Sequence, residues 1–404
     1  MKLTFKNIVI CNPGQKHKKG KVSLENSKFT GTHKGKNELD FSGYTVYPGL
    51  VNAHDHLLGT YFPRVGNGPY LNWRPWDEDL KNSKLYQERG KISPQDLYLL
   101  GYYRQILSGV TTVSDHIPHK VNKNFIKNAY INVVKKYTLA HEVSSYDLKW
   151  GNSLSGEIKK AREKNIPFIT HIEEGYDREA VNGIPFLQKH KGLFKNTVLV
   201  HCISCSKKDI KAIARHKASM VWCPFSNYYM FGETADIKTF INQGVNVTLG
   251  TDSPMSGGVH LLAEMKTAVK LYKQMYKKQL NPALVFDMVT LNGARAYKLD
   301  QEIGSIKAGK SADFVILKNR AHTDPYTNLL QADLPDIEMV FRKGKPLYFK
   351  ERYKESFNVN LKNYQKIMLK NKEKYFLIGK PLTLQKRINK KVGFKKYLDF
   401  FPVS

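Results

Sequence analysis

The chain has 404 residues, 41% of them hydrophobic and 12% aromatic, so it can bury a large core and is long enough for one large α/β domain with a satellite, or two domains. Its 65 Lys+Arg against 35 Asp+Glu give a formal net charge of +30. The lysines run through the whole chain among many asparagines instead of gathering in one footprint, which disfavours nucleic acid as the main target.

No stretch approaches the ~18 consecutive apolar residues of a membrane span, and the early run "IVIC" is too short for a secretory h-region. Four cysteines in a chain this long make no disulfide framework, and one C-x-x-C (Cys202 and Cys205) without a second makes a poor zinc knot. A cytoplasmic protein is expected.

Residues 1–48 read as short β segments separated by turn signals such as "NPGQKHKKG". Strand-like runs follow in order: "TVYPGLVNAH", "GVTTVSDH", "YTLAHEVS", "IPFITHIEE", "NTVLVHC", "SMVWCPFS" and "VNVTLGTDS". Stretches such as "SPQDLYLLGYYRQILSG" and "GEIKKAREKN" lie between them with helical spacing and a glycine or asparagine stop.

Strands apolar on both faces and separated by helices imply a parallel sheet, and this many repeats predict a (β/α)8 TIM-like barrel over 49–303. Seven strands are clear. The fourth is expected to be very short, between Ser144 and Ile166. After "NPALVFDMVTLNGARAYKL" the chain returns to β character in "GSIKAGKSADFVILK" and "IEMVFRKGKPLYF". Residues 1–48 and 304–350 are therefore expected to form one small β-sandwich domain from the N- and C-terminal segments. Residues 351–404, rich in Lys, Tyr and Phe without clear pattern, read as a basic C-terminal extension.

The chemistry gathers where these strands end. In "YPGLVNAHDHLLG", His54 and His56 stand two apart, so in extended backbone both imidazoles face one spot while Asp55 faces away. His171 closes the fifth barrel strand, His201 the sixth and Asp252 the eighth. Active sites of such barrels lie at the C-terminal strand ends, so these residues converge on one mouth.

Three imidazoles and a carboxylate suit Zn²⁺ with one position left for water, whose pKa such an ion lowers towards ~7. In "HIEEG", Glu174 follows His171 at the strand-to-loop boundary, where a carboxylate can carry a proton to a leaving nitrogen; Glu173 competes for that role. His201 orients the attacking oxygen or polarises the substrate. Tyr70, Trp73, Trp76, His116 and His119 are candidates for the substrate wall, and the rings would stack on a planar substrate.

At these motifs the sequence resembles the amidohydrolase superfamily, in the branch of cytosine deaminase, guanine deaminase and the chlorohydrolases. The resemblance spans about residues 1 to 350. It is carried by "PGLVNAHDHL", "LSGVTTVSD", "HIEEG", "LVHCIS", "CPFSN", "GTDSP" and "GSIKAGKSADFVIL".

The resemblance implies a metal held by His54, His56, His171 and Asp252, with Glu174 as proton shuttle, His201 beside the substrate and Asp252 also taking a proton. Binuclear relatives bridge two ions with a lysine of the fourth strand. Only Lys149 is nearby, so one Zn²⁺ per chain is expected, with Fe²⁺ allowed in its place. The fourth βα unit is abbreviated, and "SPMSGG" follows Asp252 where many relatives are more polar.

The expected function is metal-dependent hydrolysis of a non-peptide C–N bond in a small molecule, by deamination of an amidine-like carbon in a heterocycle. Cyclic amide hydrolysis or chlorohydrolase-type displacement are the alternatives within enzymes. A catalytically silent barrel or a nucleic-acid-binding module is the alternative outside them. The expected partner is a small-molecule substrate, without a membrane, and a homodimer is allowed.

Overall fold

The computed structural model of the protein describes residues 2–31, 37–143, 153–369 and 372–401. Among the described residues, eight parallel strands form its centre. Three pair in the order Leu50–Asp55, Val110–Asp115, Asn132–Val133. Five pair in the order Asn246–Leu249, Ser219–Trp222, Thr197–His201, Phe168–Ile172, Thr138–Glu142.

The two sheets meet at a parallel bridge between Asp55 and Asp252. There Asp252 N donates to His54 O at 3.1 Å and His56 N donates to Asp252 O at 2.6 Å. The arrangement is α/β and TIM-barrel-like. Strands such as Val110–Asp115 and Phe168–Ile172 are buried at every position, because helices cover one face and the shared core the other.

The connecting helices carry their own boundaries. Ser93 caps Pro94–Leu107 by accepting from Asp96 N at 3.2 Å, with Pro94 at the first turn, where its missing N–H costs nothing. Ser206 and Asp209 form a reciprocal capping box on Lys207–Arg215.

Three expectations are corrected here. The short strand is Asn132–Val133, upstream of Thr138–Glu142 and therefore third in order, whereas the described part of 144–166 is mainly the helix Leu154–Glu163. Two residues carry too little pattern to be read as a strand; residues 144–152, Lys149 among them, lie outside the described residues.

The run "TVYPGLVNAH" is two strands: Tyr44–Pro48 belongs to an outer sheet and Leu50–Asp55 to the parallel one. Gly49 sits at the break because a Cβ there would lie 2.2 Å from Thr111 Oγ1.

The C-terminal extension is not an appendage. Tyr364–Met368 and Lys374–Ile378 pair with each other, and the latter pairs with Lys345–Lys350, at one end of a ten-stranded outer sheet. From there the order runs through Ile337–Arg342, Phe314–Lys318, Tyr44–Pro48, Lys2–Ile10 and Lys18–Glu25 to Lys28–Thr30, with Glu38–Asp40 on Lys2–Ile10. The hydrogen bonding of the N- and C-terminal segments makes one continuous sheet, not two separately paired ones. Its core is aromatic: Phe314 stacks on Phe341 at 4.6 Å, and Phe5 meets Phe41 edge-on at 5.0 Å. The helix Pro381–Val392 packs back on Pro94–Leu107 through Arg387, which donates twice to Asp96 at 2.9 and 2.6 Å. No helix of the described residues is long and apolar enough to cross a membrane.

Candidate active site

The ends of the parallel strands bring the predicted residues together. His54 Nε2 lies 3.2 Å from His171 Nε2 and 3.6 Å from Asp252 Oδ1, and His56 Nε2 lies 3.3 Å from the same oxygen. Four ligands about 2.1 Å from a tetrahedral ion stand about 3.4 Å apart, so these spacings suit one cation.

The surrounding groups turn the right atoms inward. His171 Nδ1–H donates to the His141 carbonyl at 2.7 Å, leaving Nε2 as the lone-pair atom. Asp252 Oδ2 accepts from Ser226 Oγ at 2.6 Å and Ser256 Oγ at 2.5 Å, leaving Oδ1 towards the histidines.

Burial lowers the pKa of His54 to about 3 and takes His171 well below its usual value, so both imidazoles are neutral bases. Burial alone would raise the Asp252 carboxyl; its histidine neighbours outweigh that and hold it below the usual range. Two neutral imidazole nitrogens facing each other at 3.2 Å beside a carboxylate are a donor set that fits a divalent cation. The group His54, His201 and Asp252 places its ligand atoms within 4.8 Å of one another, and so does His54, His116 and His171.

The two glutamates part company. Glu174 lines the cavity beside the ligand group, with Oε1 3.5 Å from His201 Nε2. Glu173 turns away, and its Oε1 accepts from Ile184 N at 2.9 Å. Burial pushes the Glu174 carboxyl well above its usual pKa, with the Asp252 and Glu142 charges adding to it, so the site favours its protonated form. His201 Nδ1–H donates to Asn227 Oδ1 at 2.8 Å, which aims Nε2 at Glu174.

Glu173, His201 and Asp252 adopt left-handed backbone, at φ of 51°, 73° and 57°. Such strain in non-glycine residues at three of the strand ends is held by the fold around them and re-aims their side chains.

The cavity above this group has a volume of about 370 Å³. Trp73 and Trp76 line it, and the Trp73 ring lies 5.3 Å from that of His141. The other three wall candidates are corrected. Tyr70 closes its own loop, its hydroxyl donating to Asp79 and accepting from Asn67 N. His119 packs 4.2 Å from the Tyr137 ring. His116 is fully buried behind His171, ring to ring at 4.1 Å, and lies off the cavity.

The sequence reading missed Phe62, Arg89, His141, Met230 and Met255, which also line the cavity. Only His141 carried a signal, as a histidine near a strand end. Phe62 and Met255 come from turns, Arg89 and Met230 from the helices Lys84–Gly90 and Pro224–Phe231, whose placement no local pattern fixes.

The parallel fold and the His/Asp group suit a metal-dependent hydrolase. Residues 150–347 match the model of the "Amidohydrolase family", and the relatives that the chain matches are named as deaminases, which act on C–N bonds other than peptide bonds. It is 28% identical over 366 residues to a 5-methylthioadenosine/S-adenosylhomocysteine deaminase of Thermoanaerobacter pseudethanolicus, covering 76% of this chain and 82% of that one.

Among solved structures it resembles an adenosine deaminase from Xanthomonas campestris with bound zinc, with a TM-score of 0.69, 18% identity and coverage of 85% of this chain and 93% of that one. It also resembles guanine deaminase from C. acetobutylicum with guanine in the active site, with a TM-score of 0.68, 19% identity and coverage of 86% and 100%.

Proposed function

We propose that this protein is a zinc-dependent aminohydrolase that removes an amino group from an amidine-like carbon of a planar heterocycle, releasing ammonia. The observation that carries the reading is the buried Glu174 carboxyl, 3.5 Å from His201 and beside the ligand group. Relatives named as deaminases of adenosine-type compounds and guanine support the same chemistry.

His54, His56, His171 and Asp252 would hold about one zinc ion per chain, Fe²⁺ being the alternative. When bound, the ion supplies the Lewis acidity that makes water nucleophilic at neutral pH. The chain's own groups do the rest. Water oxygen bonds to the ring carbon, and Glu174 takes a proton from that water and passes it to the nitrogen side. His201 Nε2 accepts from the O–H of the oxygen being added and so orients it, and Asp252 accepts the second proton on its way to the amine. The C–N bond then breaks and ammonia leaves. Trp73 and Trp76 hold the ring plane.

In this reading the eight parallel strands of 49–303 close as a (β/α)8 barrel. Segments 1–48 and 304–350, joined in the one continuous outer sheet, fold that sheet back on itself as a small sandwich, extended by 351–404.

The test is an ammonia-release screen of the zinc-loaded protein over purines, purine nucleosides, pyrimidines, pterins and triazines. Release from a member of one class supports the reading. No release from any of them, with zinc bound and the fold intact, overturns it.

A further inference from the structure

Arg89 lies at the end of the helix Lys84–Gly90 and lines the same cavity as the metal group. It is half-buried, its Nε has no hydrogen-bond partner, and no carboxylate faces it among the described residues. The acids nearby in sequence are already engaged. Glu88 accepts from Tyr61 at 3.0 Å and lies 3.4 Å from Lys396 Nζ. Asp77 pairs with Lys81 at 2.5 Å, and Asp79 accepts from Tyr70. The cavity wall therefore presents a guanidinium with no counter-charge, partly removed from water, a state that costs free energy until an anion meets it. Burial accordingly lowers its pKa, opposed by the Tyr86 and Tyr98 phenols and by no carboxylate. Beside it, the Phe62 and Tyr86 rings stack at 6.5 Å and line the cavity too.

We infer that the ligand of this site carries an anionic group, a carboxylate or a phosphate, on an arm directed to Arg89. The guanidinium fork takes either oxyanion bidentately. The inference rests on the aminohydrolase reading and narrows its substrate class to heterocycles with an acidic substituent.

The experiment uses matched pairs on the zinc-loaded protein. Ammonia release is compared for 5′-methylthioadenosine against S-adenosylhomocysteine, which adds an amino-acid carboxylate, and for adenosine against adenosine 5′-monophosphate, which adds a phosphate. Calorimetry compares inosine with inosine 5′-monophosphate, which have no amine to lose and report binding without turnover.

The expected result is a preference of about 10–100-fold for an acid-bearing member of at least one pair, expressed in KM or Kd, falling towards unity in Arg89→Met. Arg89→Gln, checked with it for fold by circular dichroism, gives the same loss. Equal treatment of neutral and acidic members by the wild type, or an unchanged preference in both variants, overturns the assignment even if ammonia is released. A binding preference that depends on Arg89 without ammonia from any pair upholds the assignment and refutes deamination.

Discussion

Asp55 and Arg104 form an ion pair that solvent does not reach, with one guanidinium nitrogen against both carboxylate oxygens. Asp55 is the residue between His54 and His56 that faces away from the cavity. Gln105 Nε2 at 3.1 Å and Thr251 Oγ1 at 2.5 Å donate to it as well. One carboxylate thus ties the His-x-His strand to the residue preceding Asp252. Removing one partner leaves the other buried and uncompensated, so Asp55→Ala or Arg104→Met is expected to cost about 3–5 kcal/mol in urea denaturation. Asp55→Ala should also lower zinc content, because two ligands lose their anchor. Unchanged stability with full zinc would contradict this account.

Glu174→Gln should reduce kcat by about 10²–10⁴-fold and leave zinc content level, since the amide keeps the shape but cannot carry the proton. Glu173→Gln should act on stability instead, because Glu173 accepts from Ile184 N and faces away from the cavity. Elemental analysis beside steady-state kinetics separates the two; a large kcat loss confined to Glu173→Gln would exchange their roles.

Zinc should be present at about one per chain after purification without chelator. Its removal should abolish ammonia release, and return of zinc to 100 times its Kd should restore about 2.7 kcal/mol of stability. Full turnover in the metal-free protein would refute the ligand assignment.

A pH prediction follows from Glu264, whose Oε1 accepts from Phe225 N at 2.7 Å while its Oε2 has no partner. Burial pushes its carboxyl from 4.5 up to about 8, the Phe225 N–H partly opposing. A carboxyl raised in the folded state contributes stability that is complete below its unfolded pKa and is lost as pH rises through the folded one. The wild type should therefore lose on the order of 4 kcal/mol from this group between pH 4.5 and 8. Glu264→Gln should show a shallower decline over that window in urea midpoints. Parallel profiles would remove Glu264 as the source.

Truncation near residue 350 should leave the protein aggregated, or melting about 10 °C lower. It removes the Lys374–Ile378 partner of Lys345–Lys350, the stack of Tyr348 on Tyr375 at 4.9 Å and the Arg387–Asp96 pair. Gel filtration and circular dichroism decide it. A soluble truncated chain with wild-type melting would show these contacts to be idle.

The His-x-His pair was legible because two-residue alternation is local, and the later strand ends because each closes an unmistakable apolar run. The strand Asn132–Val133 was not legible, being two residues defined by their neighbour Val110–Asp115. Nor was the role of the last fifty residues. Arg387 meets Asp96 across 291 positions, and strand Tyr364–Met368 buries Tyr364 and Ile367, three apart, so it shows no alternation to read. Arg89, on the short helix Lys84–Gly90, and Met255, in a turn, reach the cavity by placements that only the assembled protein defines. Which of two adjacent glutamates faces the ligands turned on the left-handed Glu173, a backbone choice invisible in "HIEEG".

The outer sheet has a consequence for biogenesis. Tyr44–Pro48 pairs with Lys2–Ile10 on one side and with Phe314–Lys318 on the other, joined across the latter seam by Thr45 donating to Asn319 at 2.6 Å, 274 residues away. At a synthesis rate of about 5–20 residues per second, the second partner emerges roughly 14–55 s after Tyr44–Pro48 itself. Throughout that interval an apolar strand edge stands open on the nascent chain, ready to recruit any other strand. Yield of native protein should therefore depend on translation speed and on chaperones that shield that edge, even where the finished molecule is stable.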